Sequence, residues 1–389
     1  MIDFDSPEVR NILPYRETDQ YQLALSRVLK DQALGSSLQN LFPLFPWQDV
    51  MKYAPQIRGV EDFHRYVVAP VVEGILQSKS SGLSLSGIEE LKNKNHRFVI
   101  LSNHRDIVCD PAILCYCFFI HGLGSPYICL GDNLLTQPLI VDLVKLNQAI
   151  TVKRDLPPRE LLKWSKILSQ VIHDLVTREN QSVWIAQREG RAKDGDDRTH
   201  PGVLKMLALA EDGAVVEAMR KLHVVPIAIS YEYDPCDALK ARELYLTEKK
   251  GSYEKSPNED ELSMQMGVLG FKGRIHVGIG GEWSQNQLEQ IQEMNKRDQV
   301  NALVQGLDQE IHRLYKKWPS HYIAYDLLHG TAEMVSQYRS DEKQAFIDRM
   351  NQQLLYLKKK GLAGDEDLEG IKKILLEAYA KPLQGNLLV

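Results

Sequence analysis

The strongest constraint on the fold is an alternation through the middle of the chain, in which short β-branched or apolar runs are separated by segments of helical periodicity. The runs are Arg97–Leu101, Tyr127–Leu130, Ala149–Val152, Ser182–Ala186, Val224–Ser230 and Arg274–Ile279. Helical spacing fills the intervals at Pro111–Ile120, Pro138–Leu146, Pro158–Thr177, Val203–Leu209 and Val215–Lys221. Strands joined through helices favour parallel neighbours, with helices covering both faces of one sheet. The expected fold is therefore α/β, with a mostly parallel central sheet flanked by helices. Both ends read as helical instead: Asp19–Ala33 and Val60–Leu76, separated by a Pro-rich aromatic loop (Leu41–Trp47), and later Gln285–Trp318, Tyr322–Leu357 and Glu366–Ala380. This predicts an N-terminal helical region over 1–84, an α/β domain over 85–283 and a C-terminal helical region over 284–389.

With 389 residues, 43% hydrophobic and 25% charged, the chain has ordinary globular composition and enough length for a sizeable core. A net charge of −5 gives no global basic field, so nucleic acid is not an expected partner and any anion site must be local. The five cysteines, Cys109, Cys115, Cys117, Cys129 and Cys236, lack Cys-x-x-Cys pairing and matching His spacing. A reduced compartment fits them, and no metal site is expected. The first residues, MIDFDSPEVRNILPYRETD, do not read as a secretory signal. The most apolar stretch, Pro111–Leu123, falls short of the roughly 20 residues needed to cross a bilayer. A cytoplasmic protein is expected, with peripheral attachment to the inner face of the cell membrane left open.

Three segments carry candidate chemistry. The first is Ser102-Asn103-His104-Arg105-Asp106-Ile107-Val108-Cys109-Asp110-Pro111, which follows a strand and precedes an apolar helix. Pro at the first helical position makes Asp110 the expected N-cap. A His at the end of a buried strand, with carboxylates two and six residues on, can serve as a general base: a carboxylate fixes its tautomer while it takes a proton from an alcohol. The His-Arg-Asp-Ile run also resembles a kinase catalytic loop, but Pro111 stands where a magnesium-binding Asn is needed, and no Asp-Phe-Gly or Gly-rich loop accompanies it. In the second, Ala149–Arg154, a strand ends in Lys153 and Arg154, a point charge and a guanidinium fork suited to phosphate. The third, Gln187–Thr199, sets Glu189 among Arg188, Arg191 and Lys193 around Gly190, at the carboxyl end of a strand, where open α/β sheets bind ligands. Asp194, Asp196 and Asp197 lack the remaining ligands of a calcium loop. Gly278-Ile279-Gly280-Gly281 lacks the third glycine of a dinucleotide loop, because Trp283 occupies its place.

In this order the segments resemble the four blocks of the glycerolipid acyltransferase family, which acylate glycerol-3-phosphate or lysophosphatidic acid. The family's His-x4-Asp block resembles His104 to Asp110, here with five intervening residues, so Asp110 or Asp106 is the carboxylate partner, and the position before the helix favours Asp110. Its second block is similar to Ala149–Arg154. Its Glu-Gly loop followed by Arg resembles Glu189-Gly190-Arg191-Ala192-Lys193-Asp194-Gly195, shorter by one residue. Its Val-Pro strand resembles Val225–Tyr231. The likeness covers residues 85–283 and leaves the helical extensions unexplained.

The resemblance implies a glycerolipid acyltransferase-like fold and an enzyme of phospholipid biosynthesis. His104, oriented by Asp110, would deprotonate a glycerol hydroxyl that attacks an acyl thioester, supplied by acyl-CoA or acyl carrier protein. Arg154 and Arg191, with Lys153 and Lys193 nearby, would hold the acceptor phosphate, and Glu189 beside Gly190 would orient its hydroxyl. Arg105 or backbone amides near the His turn would meet the oxyanion. No cofactor is implied beyond the thioester co-substrate. The apolar helix Ala112–Ile120 is a candidate wall for an acyl chain, and Lys358-Lys359-Lys360 with IKKILLEAYAK is a candidate basic, apolar patch for a lipid surface. The rival reading is a non-catalytic lipid-binding or membrane-associated protein on a decayed acyltransferase domain; it predicts loss of the His and carboxylate pair, which this chain retains.

Overall fold

A computed structural model describes residues 2–41, 47–135, 137–256 and 258–384. The expected Pro-rich loop lies mostly outside the described residues. Seven strands form one sheet: β1 (Leu83–Ser86), β2 (Val99–Ser102), β3 (Tyr127–Gly131), β4 (Ala149–Val152), β5 (Val183–Ala186), β6 (Val225–Tyr231) and β7 (Ile275–Ile279). Their order across the sheet is β1-β7-β6-β2-β5-β3-β4. Every neighbouring pair is parallel except β6 and β7. The mostly parallel α/β expectation holds. The edge strand β1, sequence LSLS, is not among the expected runs, because two of its four residues are Ser and it is only half-buried.

The strand pleat sorts side chains to two faces with a period of two. Val99 and Leu101 of β2, with Val183 and Ile185 of β5, join one core layer, whereas Ile100 and Trp184 join the other. The first layer is covered by Leu168, Val171, Ile172 and Leu175 of the helix Pro158–Thr177 and by Val300, Leu303, Leu307 and Ile311 of the helix Lys296–Leu314. Val9, Ile12 and Leu13 from the N-terminal end lie in the same layer. The second layer is covered by Ile113, Leu114, Cys117 and Phe118 of the helix Cys109–Ile120. Burying each such aliphatic or aromatic side chain contributes about 1.5–3 kcal/mol. Continuous apolar strands are required because both faces of the sheet are covered.

Two helices, Asp237–Lys250 and Glu259–Leu269, are inserted between β6 and β7. A further layer, with Ile323, Phe346, Leu357, Ile371 and Leu375, packs beneath the first of these. The carboxyl ends of β2 to β6 share one edge of the sheet, and that edge carries the site.

Candidate active site

The turn after β2 is built by side chains that imitate backbone. Asn103 Oδ1 accepts from the Ile229 amide at 2.8 Å, and Asn103 Nδ2 donates to the Ile229 carbonyl at 3.1 Å. The chain thus leaves the sheet with both polar groups of its buried Asn satisfied. His104 follows. Its Nδ1 lies 2.8 Å from Asp110 Oδ2, its side chain is 16% exposed and that of Asp110 is fully buried. Asp110 Oδ2 also accepts from the amides of Arg105 (2.5 Å) and Asp106 (2.9 Å), and Oδ1 from the Tyr231 hydroxyl (2.7 Å). Burial alone would raise this carboxyl, but the His104 contact, the Asp106 amide and the Tyr231 hydroxyl outweigh it and hold it below the ordinary carboxylate range. A carboxylate accepting from Nδ1–H leaves Nε2 as the basic ring nitrogen. Trp184 sets the ring's position: its edge meets His104 with centroids 5.6 Å apart, and its Nε1 donates to Ser102 Oγ at 2.8 Å.

Asp106 does other work. Its Oδ1 accepts from the amides of Val108 and Cys109, at 2.9 and 2.7 Å. The helix begins at Cys109, so Asp110 lies inside the first turn and Asp106 supplies the capping carboxylate, which corrects the expectation that Asp110 is the N-cap. Burial, reinforced by the charge of Asp110, pushes the Asp106 carboxyl up. Gly267 of the inserted helix packs so closely here that a Cβ would stand 2.2 Å from Asp106 Oδ2.

His104 opens into a cavity of about 350 Å³ at the carboxyl edge of the sheet. Arg154, Arg188, Glu189, Gly190, Arg191 and Lys193 all line it. The loop after β5, which carries all of these but Arg154, is tied to the His turn by the Ala192 amide, which donates to the His104 carbonyl at 2.7 Å. Gly190, at φ +70°, gives the turn its left-handed residue. Arg154 lies across the end of β3, where a Cβ on Gly131 would come within 2.5 Å of its Nε. It stands 3.7 Å from Glu189. Arg191 Nη1 is buried without a hydrogen-bond partner among the described residues, a cationic donor in want of an acceptor. Lys193 is ion-paired with Glu243 of the first inserted helix. Leu244, Lys255 and Asp260 bring the insertion to the cavity, and Ile107, Leu130 and Leu134 add apolar wall.

Three expectations are corrected. Arg105 points away from the cavity: its guanidinium bonds Asp197 at 2.6 Å and the Gly195 carbonyl at 3.2 Å, and lies over the Tyr315 ring. Successive residues after a strand face opposite sides, so Lys153 turns from the cavity that Arg154 enters and lies over Trp164, 3.7 Å from Asp132. The helix Ala112–Ile120 is packed into the second core layer and does not line this cavity. Among the site residues given no role by sequence, Trp184 and Tyr231 are legible only from strand register, and Leu244 and Lys255 only from the insertion. Cys129 also lines the cavity, but burial pushes its thiol up to about 12, which rules out a ready thiolate nucleophile.

Comparison with known proteins bears on this edge. Residues 83–230 match the family model described as acyltransferase. That segment of the chain is similar to the acyltransferase family. It is 26% identical over 214 residues to the glycerol-3-phosphate acyltransferase of Pseudoalteromonas translucida, covering 55% of this chain and 25% of that protein. It is 26% identical over 237 residues to the glycerol-3-phosphate acyltransferase of Pseudomonas paraeruginosa, covering 59% and 27%, and 25% identical over 202 residues to that of Pseudomonas putida, covering 51% and 23%. The chain thus spans about a quarter of the length of these relatives. The matched segment runs from β1 through most of β6 and contains His104, Asp110, Arg154 and Arg191, so the resemblance to the glycerolipid acyltransferases stands. No helix among the described residues is long and apolar enough to cross a membrane. The helix Leu368–Gln384, expected as part of a lipid-facing patch, buries Ile371, Ile374, Leu375 and Tyr379 against the chain's own helices, and Lys358 pairs with Asp365 at 2.6 Å.

Proposed function

We propose that the protein transfers a fatty acyl group from an acyl thioester to a hydroxyl of glycerol-3-phosphate, with His104 as general base. The observation that carries this reading is the buried His104–Asp110 pair opening into a cavity that also holds Arg154, Arg188 and Arg191. His104 Nε2 takes the hydroxyl proton, the oxygen attacks the thioester carbonyl, and the tetrahedral intermediate collapses with expulsion of the thiolate, which regains the proton from the imidazolium. Asp110 stabilises the imidazolium while it exists. Arg191 Nη1, buried and without a partner among the described residues, is matched to a phosphate oxygen, with Arg154 and Arg188 as further partners. Arg154's placement, in a block resembling that of glycerol-3-phosphate acyltransferases, favours glycerol-3-phosphate over lysophosphatidic acid. Acyl-CoA and acyl carrier protein are the candidate donors, and membrane attachment would serve delivery of the product.

The test incubates purified protein with palmitoyl-CoA or palmitoyl-acyl carrier protein, offers glycerol-3-phosphate and lysophosphatidic acid separately, and reads products by mass spectrometry beside His104→Ala. Acylation of glycerol-3-phosphate that disappears in folded His104→Ala is expected. Full activity in His104→Ala sinks the assignment of the base, and no acylation with any donor and acceptor favours the lipid-binding reading.

A further inference from the structure

The edge of the sheet opposite His104 brings together three residues that the acyl-transfer reading does not use. His96 precedes β2, His223 precedes β6 and Glu282 follows β7. Because β7 runs antiparallel to β6, its end lies beside the start of β6, and the strand order β7-β6-β2 makes the three connections neighbours. Glu282 Oε1 is 2.9 Å from His96 Nε2, and Oε2 is 2.8 Å from His223 Nδ1. The two imidazoles stack with centroids 3.7 Å apart and planes at 21°. One donor atom from each of the three residues lies within 4.8 Å of the other two.

We propose that His96, His223 and Glu282 form a binding site for a divalent metal ion of the zinc type, with an open fourth position for water. Two imidazole nitrogens and one carboxylate oxygen make a donor set that suits zinc and its neighbours, whereas magnesium and calcium take oxygen alone. Bonds of about 2.0–2.1 Å around one tetrahedral ion set donor atoms roughly 3.3 Å apart; each imidazole now bonds its own oxygen of Glu282, so an ion held by one of those oxygens widens one spacing by a few tenths of an ångström and draws the other imidazole in from within 4.8 Å. The side chains of His96 and His223 are 35% and 34% exposed, so an ion reaches them from solvent, and Glu282 at 16% is the inner ligand. His223 is held at φ +46°, in the left-handed region, and its ring stacks on His96 from the connection before β2. The competing cation is the Lys94 ammonium, 3.3 Å from Glu282 Oε1; its side chain is 44% exposed and swings into water when the ion enters. Bound metal would clamp the entries of β2 and β6 to the exit of β7, and β2 leads directly into His104.

The test strips the full-length protein with a chelator and titrates it with Zn²⁺ against a chromophoric competitor, with Co²⁺ in parallel as a visible-absorption probe of coordination geometry. One ion per chain, an intense low-symmetry Co²⁺ spectrum and a melting temperature that rises with Zn²⁺ are expected. A His96→Gln/His223→Gln double variant should bind on the order of 100-fold more weakly, and Glu282→Gln covers the case in which the double variant does not fold. His104→Ala should bind as the parent does. No stoichiometric Zn²⁺ uptake by the parent, undiminished binding in the folded double variant or in Glu282→Gln, or loss of binding in His104→Ala would each overturn the assignment.

Discussion

Replacing Asp110 by Asn isolates the electrostatic part of the proposed mechanism, because the structure dictates which way the amide must sit. Oδ2 receives three N–H donors, from His104 Nδ1 and the amides of Arg105 and Asp106. Oδ1 receives only the Tyr231 hydroxyl, which can rotate to accept instead of donate. The substituted side chain therefore keeps its oxygen toward His104 and its NH2 toward Tyr231, so the ring tautomer and orientation survive and only the negative charge is lost. Two unit charges about 4 Å apart at an effective dielectric of about 20 attract by about 4 kcal/mol. With the proton between half and fully transferred at the transition state, the loss is about 2–4 kcal/mol, or roughly 30- to 1,000-fold in kcat. Steady-state acylation with saturating donor and glycerol-3-phosphate measures it, with KM for the acceptor nearly unchanged and the fold checked by circular dichroism. The reasoning fails if folded Asp110→Asn keeps full kcat, since the charge then contributes nothing. It fails equally if Tyr231→Phe restores activity to Asp110→Asn, since that would mean the Tyr hydroxyl was holding the amide in the wrong orientation.

The remaining predictions separate the cavity from its surroundings. Arg191→Ala should raise the acceptor KM by about 10- to 100-fold, the worth of one charge-assisted hydrogen bond, while Lys153→Ala, turned toward Trp164, should change it less than about twofold; initial rates against glycerol-3-phosphate concentration decide both. Arg105→Met should cost about 3–5 kcal/mol in denaturant unfolding by leaving Asp197 buried without its cation, yet leave kcat per folded molecule close to the parent. Asp142 is 4% exposed and accepts from Tyr15 at 2.7 Å and from Arg27 at 2.6 and 2.7 Å, and although burial opposes it, those partners hold its carboxyl low. A lowered folded-state pKa stabilises above the unfolded value near 4 and fades as pH falls through the folded one. Asp142→Asn should thus be about 2 kcal/mol less stable than the parent at pH 7, with the gap closing below about pH 4 in unfolding curves taken across that range.

The sheet was legible because each strand that is buried on both faces must be a continuous apolar run, and β4 at Ala149–Val152 falls where periodicity places it. The long helices Pro138–Leu146 and Pro158–Thr177 were equally plain, each opened by a proline. The insertion was not: Asp237–Lys250 fully buries only Asp237–Ala241 at its start and then mixes Leu244, Tyr245 and Leu246 with charged residues, so it carries no clean helical stripe to read. Its importance rests on a contact no spacing reveals, in which the buried Lys240 ammonium donates to the Arg105 carbonyl at 2.6 Å and pairs with Asp234. A cation buried to that degree needs acceptors, and one of those it found is the backbone of the turn that carries His104.

The same distinction runs through the site. Residue type and order single out His104, Arg154 and Arg191 as candidates, because the proposed chemistry calls for a base and cations, but direction is decided by the local chain. Asp106 and Asp110 are both carboxylates within reach in sequence. The turn gives the first to the amides of Val108 and Cys109, and one helical step later it aims the second back at His104 Nδ1. Lys153 and Arg154 are adjacent cations, and strand alternation sends one to Trp164 and the other to the cavity. Arg105, next to His104, is taken up by buried Asp197 instead of facing the cavity. In each pair the residue turned toward His104 or the cavity is the one whose neighbour has satisfied the fold, and with five residues between them Asp110 still sits on the ring of His104.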